Sequence, residues 1–85
     1  MNGIVQWYNP RTEKGIVLVT EDGMVSKYFL LYSKIIRSPE VIEAGQFVKF
    51  AAVAPPHKIG LLPVMVGVEI SRTPFVTESD VKGGL

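Results

Sequence analysis

Five short runs of β-branched, aliphatic and aromatic residues, each closed off by turn formers, dictate what this chain can become. They are Gly3–Tyr8 (GIVQWY), Gly15–Thr20 (GIVLVT), Lys27–Tyr32 (KYFLLY), Gln46–Val53 (QFVKFAAV) and Pro63–Ile70 (PVMVGVEI). Branched and aromatic side chains suit a pleated, half-buried surface, so runs of this length read as strands. The separators are NPRTEK, EDGMVS, SKIIRSPEVIEAG and APPHKIGLL. Only the third has room for a helical turn, around Ser33–Arg37, and no stretch carries the periodicity of a long amphipathic helix. Asp22-Gly23, between the second and third runs, is a hairpin signal, because both residue types accept the left-handed conformation that a two-residue turn requires.

A hairpin meander followed by the longest connection, between runs three and four, predicts an all-β, five-stranded Greek-key barrel of the OB type over residues 1–70. An SH3-like barrel is the nearest competing arrangement. After Ile70 the sequence turns polar in SRTPFVTESDVKGGL, so residues 71–85 read as a short C-terminal tail in which Phe75 and Val76 are the candidates for docking. A chain of 85 residues lies near the size at which one small core must suffice without a metal or a covalent staple.

The chain has no cysteine, which excludes a disulfide framework, a thiolate zinc site and thiol catalysis. That usage suits a reducing compartment, and a cytoplasmic location is expected. Met1-Asn2-Gly3-Ile4 has neither a basic start nor a long apolar stretch, so neither a signal peptide nor a membrane partner is expected. The acids are single and scattered, there is no Ser-His-Asp order or glycine-rich phosphate loop, and His57 stands alone beside Pro55-Pro56. Neither enzymatic activity nor a bound metal or cofactor is expected. A formal net charge of +1 leaves the question of partners open. Lys14, Lys27, Lys34, Arg37, Lys49 and Lys58 are interspersed with Glu13, Glu21, Asp22, Glu40, Glu43 and Glu69 rather than drawn into a basic stripe.

Gly3-Ile4-Val5-Gln6-Trp7-Tyr8-Asn9 resembles the opening of the bacterial cold-shock domain, Gly-x-Val-Lys-Trp-Phe-Asn. Lys14-Gly15-Ile16-Val17-Leu18-Val19 stands where that family has Lys-Gly-Phe-Gly-Phe-Ile, its first ribonucleoprotein motif. Tyr28-Phe29-Leu30-Leu31-Tyr32 and the following Ser33-Lys34-Ile35 match the second, Val-Phe-Val-His-Phe with Ser-x-Ile. Further on, Glu43–Phe50 is similar to Glu-Gly-Gln-x-Val-x-Phe, and Leu62–Ile70 sits where the family has Gly-Pro-x-Ala-x-x-Val. The likeness covers residues 1–70, with the NPRTEK loop about two residues longer than the family's, a difference within the usual uncertainty of loop boundaries.

The resemblance implies an OB barrel that binds single-stranded RNA or DNA on an exposed sheet face. Stacked aromatics there contribute about 1–3 kcal/mol per base. Trp7, Tyr8, Phe29 and Tyr32 fall on matching positions, and Lys14 on the lysine that approaches phosphates. The same aromatics also suit a barrel core, and Lys14 also suits a solvated strand end. Ile16 and Leu18 replace two platform phenylalanines, Leu31 replaces the histidine and Gln6 replaces a lysine, so reduced or altered affinity is expected. Alternation places Val17 and Val19 inward and leaves Ile16 and Leu18 outward beside Phe29 and Leu31. An exposed aliphatic and aromatic patch generally marks an interface. The alternative expectation is therefore a homodimerisation or protein-interaction module using Ile16, Leu18 and Leu31, with Phe75 and Val76 of the tail as the rival cover.

Overall fold

The structure, a computed structural model, describes residues 1–56 and 60–75. Its strands are β1 (Asn2–Asn9), β2 (Lys14–Glu21), β3 (Met24–Leu31), β4 (Ile35–Arg37), β5 (Phe47–Lys49), β6 (Ala52–Ala54), β7 (Val64–Val66) and β8 (Val68–Ser71), with one 3₁₀ turn at Tyr32–Lys34. They form a single sheet in the order β4-β8-β5-β1-β2-β3-β7-β6. The fold is all-β and barrel-like. Among the described residues no helix is long and apolar enough to cross a membrane.

Eight strands replace the five expected, and the reason is local. The fourth expected run is interrupted at Phe50-Ala51, giving β5 and β6, and the fifth is interrupted at Gly67, giving β7 and β8. The two breaks face each other. Ala51 donates its N–H to the Val66 carbonyl at 3.1 Å. Gly67 has φ +64°, and a Cβ added there would lie 3.1 Å from the Ala51 Cβ. A glycine at such a corner supplies both the left-handed backbone and the missing volume. The bend lets one hairpin serve two partners: β5 pairs with β1 and β8, while β6 pairs with β7, which runs parallel to β3 at Phe29↔Val64. The helical turn expected around Ser33–Arg37 is shorter and earlier, because Ile35–Arg37 instead extends as β4 along β8.

Alternation fills the interior as the pattern of β2 requires. Val5, Val17, Val19, Leu30, Val48, Phe50, Met65, Val68 and Ile70 form one buried cluster, with Tyr8, Tyr28, Ile35, Ile42 and Val53 packed against it. The Tyr28 and Phe50 rings meet at 5.8 Å in a tilted arrangement, a favoured aromatic geometry. Phe50, at the bend, is also tied to the start of the chain, donating its N–H to the Met1 carbonyl at 2.9 Å. At the far end of the sheet, Asp22 (φ 52°) and Gly23 (φ 77°) make the expected two-residue turn. It carries Met24 and Val25 into solvent.

The connection into β5 is organised by Gln46, a buried polar residue. Its Oε1 accepts from the Glu43 N–H, and its Nε2 donates to the Val41 carbonyl, each at 2.9 Å. Its own carbonyl accepts from the Val5 N–H at 3.0 Å, so this side chain stitches the loop Val41–Gly45 to β1. Gln46→Ala leaves the Glu43 donor and Val41 acceptor without a partner, and the expected loss is about 1–3 kcal/mol of unfolding free energy. Urea denaturation of the full chain checks this: an unchanged midpoint would show that the loop is not held by Gln46.

Candidate nucleic-acid interface

The orientation of the candidate residues begins with a bulge. Val5 pairs with Val17 and the next pair in register is Trp7 with Ile16, so Gln6 is an extra residue in β1. Without it, Trp7 would share the inward parity of Val5. With it, Trp7 turns out to solvent, 46% exposed, and Tyr8 turns toward the core, opposite Gly15. Bulges re-aim side chains in this way. Gly15 is the complement of that inward tyrosine, since a Cβ at Gly15 would collide with the Trp7 carbonyl oxygen and sit 3.0 Å from Tyr8 Cδ1.

Outside the barrel the register builds a continuous row across five strands: Trp7, Ile16, Phe29, Val64 and Ala54 lie opposite one another in turn. Ile4, Leu18 and Lys27 form the adjacent row on one side, and Lys14 and Leu31 the pair on the other. Lys14, Leu31, Phe29 and Val64 then line a cleft of about 270 Å³ whose far wall is Pro56, Leu61 and Leu62. This apolar face has two exposed lysines, Lys14 and Lys27.

The patch differs from its expected form at Ile16. Outward parity holds, but Ile16 is only 7% exposed. It lies between Trp7 and Phe29 in register, with their bulkier side chains on either side. Leu18, Phe29 and Leu31 are half-buried rather than open. The chain itself thus shelters Ile16 at the centre of the patch. Phe75 is half-buried, whereas Val76, His57 and Lys58 lie outside the described residues.

Tyr8 and Tyr32 are not part of that face. They line a separate groove of about 550 Å³ with Pro10, Pro39, Glu13 and Glu40. Glu13 is held there with φ 57°, a conformation uncommon outside glycine. Its N–H donates to the Asn9 carbonyl at 2.8 Å and its carbonyl accepts from the Tyr32 N–H at 3.1 Å. Tyr32, 54% exposed, also borders a smaller hollow with Lys14 and Leu31, which joins the groove to the outer face. The five residues expected at one binding surface thus divide: Trp7, Lys14 and Phe29 on the sheet, Tyr8 in the groove, Tyr32 between.

Period-two reading from Phe29 would have found Lys27, and the place of Val64 in the row depends on a β3–β7 pairing that no local signal announces. Pro39 and Glu40 line the groove from the segment just before the Val41–Gly45 loop that Gln46 holds. Among the described residues no three His, Asp or Glu side chains gather as a metal-ligand set. In comparisons with known proteins, no family model matches the chain and no curated protein matches it significantly.

Burial pushes the Tyr8 phenol above its ordinary value, and the Glu13 carboxylate and Tyr32 add to the rise. The folded state thus favours neutral Tyr8. The corresponding stability is complete below the unfolded tyrosine pKa of about 10 and is lost as pH rises through the higher folded value. Tyr8→Phe is expected to flatten the alkaline fall of the denaturation midpoint and to remove one phenol from the high-pH end of a spectrophotometric titration. Loss of a phenol with an ordinary titration would contradict this environment.

Proposed function

We propose that this chain is an OB-type, cold-shock-like barrel that binds single-stranded RNA or DNA through the outer face of β1, β2 and β3. The observation that carries the reading is the bulge at Gln6, which turns Trp7 outward into register with Ile16 and Phe29. An exposed indole in a cross-strand row with a second aromatic is a platform for stacked bases, and every base has a π-face. Joining the halves of each bent strand reduces the sheet to five long runs and the short β4. The first then pairs with the second and fourth and the third with the second and fifth, as in a small closed Greek-key barrel. OB proteins use the face of their second and third strands and the loops beside it. The Lys14–Phe29–Leu62 cleft lies at that place.

The aliphatic residues set the strength of binding. Leu18 and Ile16 bury surface but stack poorly, so the platform offers Trp7 and Phe29 where an all-aromatic one offers more. Leu18→Phe, alone and with Ile16→Phe, is expected to tighten binding of a labelled oligothymidylate by about tenfold per stacked base, the lower half of the stacking range. Trp7→Ala is expected to weaken it by a similar factor. Fluorescence anisotropy decides: affinities unmoved by all three variants would mean that bases do not use this face.

Phosphate contacts are few. Among the described residues Lys14 and Lys27 are the cations on the face, and Arg37 is engaged with Glu69 at 3.8 Å elsewhere. Two contacts to a single strand give a slope of log K against log salt of about −1.4. A slope several times steeper would place further basic residues on the strand.

A further inference from the structure

The groove beside the 3₁₀ turn has a composition unsuited to nucleic acid. Its walls carry two carboxylates, Glu13 and Glu40, and two phenol rings, Tyr8 and Tyr32, framed by Pro10 and Pro39, and among the described residues no Lys, Arg or His lines it. Phosphates would be repelled there. The one ion pair among the described residues, Arg37 with Glu69, does not involve either carboxylate. Both glutamates are exposed, and the Glu13 backbone is fixed in place by hydrogen bonds to Asn9 and Tyr32.

We infer that this groove docks a basic segment of a partner protein, seating one Lys or Arg side chain against the Tyr32 and Tyr8 rings with Glu13 and Glu40 as its counter-charges. Three features converge on that chemistry. A cation over an aromatic face is attracted by the ring quadrupole, and tyrosine is among the rings that serve. Carboxylates beside the rings complement the same charge, and a planar guanidinium can both stack and donate to a carboxylate. The volume, about 550 Å³, exceeds what one side chain fills and leaves room for flanking backbone along Pro10 and Pro39. The Tyr8 phenol is raised chiefly by burial, with the Glu13 carboxylate adding to the rise. Residues 76–85 of this chain carry Glu78 and Asp80 against Lys82, the wrong balance for an acidic groove, so the occupant is another protein.

The groove is distinct from the sheet face, though joined to it by the hollow at Tyr32 and Lys14, and its test does not require oligonucleotide binding. The probe is a fluorescein-labelled octapeptide alternating Gly and Arg, titrated against the full-length chain, with the Gly-Glu counterpart as control. Saturable binding of the arginine peptide alone is expected. Glu13→Gln with Glu40→Gln should weaken it at least tenfold and Tyr32→Ala at least fivefold. Tyr8→Phe, which keeps the ring, and Trp7→Ala, on the other face, should leave it unchanged. Glu40→Lys, on the loop surface, provides a charge reversal that spares the Glu13 backbone. Amide shifts in ¹⁵N spectra locate the peptide and report that each variant is folded. Failure of the arginine peptide to bind, or equal binding by the glutamine variants, overturns the inference. So do oligothymidylate shifts as large at Glu40–Ile42 as at β2 and β3, which would give the groove to nucleic acid. A concentration-dependent dimer lost in the glutamine variants would assign it to a second copy and equally overturn it.

Discussion

The approach of Gly67 to Ala51 is the contact on which the rest of the barrel depends. A short chain cannot close a sheet by adding strands, so it must use the same two strands at both edges. Bending the last hairpin at one level achieves this, sending β5 to the first strand and β7 to the third. The bend also brings Phe50 to the interior, where it meets Tyr28 and the amino-terminal strand. Closure of this kind removes most of the sheet edge that would otherwise recruit other chains. It also fixes which face of β2 looks outward.

How far the sequence discloses this varies with the range of the interaction. The three long strands, the Asp22-Gly23 turn and the inward parity of Val17 and Val19 follow from period two and turn chemistry, which are local. The interruption at Gly67 is written as a glycine within an apolar run, yet its partner Ala51 is a neutral residue that signals nothing by itself. The short β4 is similar: Ile35-Ile36-Arg37 becomes a strand only because β8 is beside it. At the outer face, the residue types were legible but their grouping was not. Trp7 and Tyr8, adjacent in sequence, take opposite sides of the sheet by period two, and the extra residue at Gln6 decides which of them looks outward. Bulges of that kind have no sequence signature beyond the mismatch of two registers.

The burial of Ile16 has a related origin. An outward position on an isolated hairpin would be open, but in a five-strand row it has bulky neighbours on both sides, and the row itself acts as a second, shallow apolar layer. Ile16 at its centre supports the flanking rings of Trp7 and Phe29.

The Asp22-Gly23 hairpin tip stands apart from all of this. β3 meets β7 at one register position, Phe29↔Val64, so the outer half of the β2–β3 ribbon projects beyond the closed part of the barrel with Met24 74% exposed at its end. The turn contributes no side chain to the core cluster. Doubling the length of such a loop costs only about 0.6 kcal/mol of closure entropy. Descendants of this chain thus have a place to grow, where insertions change the reach and chemistry of the molecule while leaving the corner at Gly67 untouched.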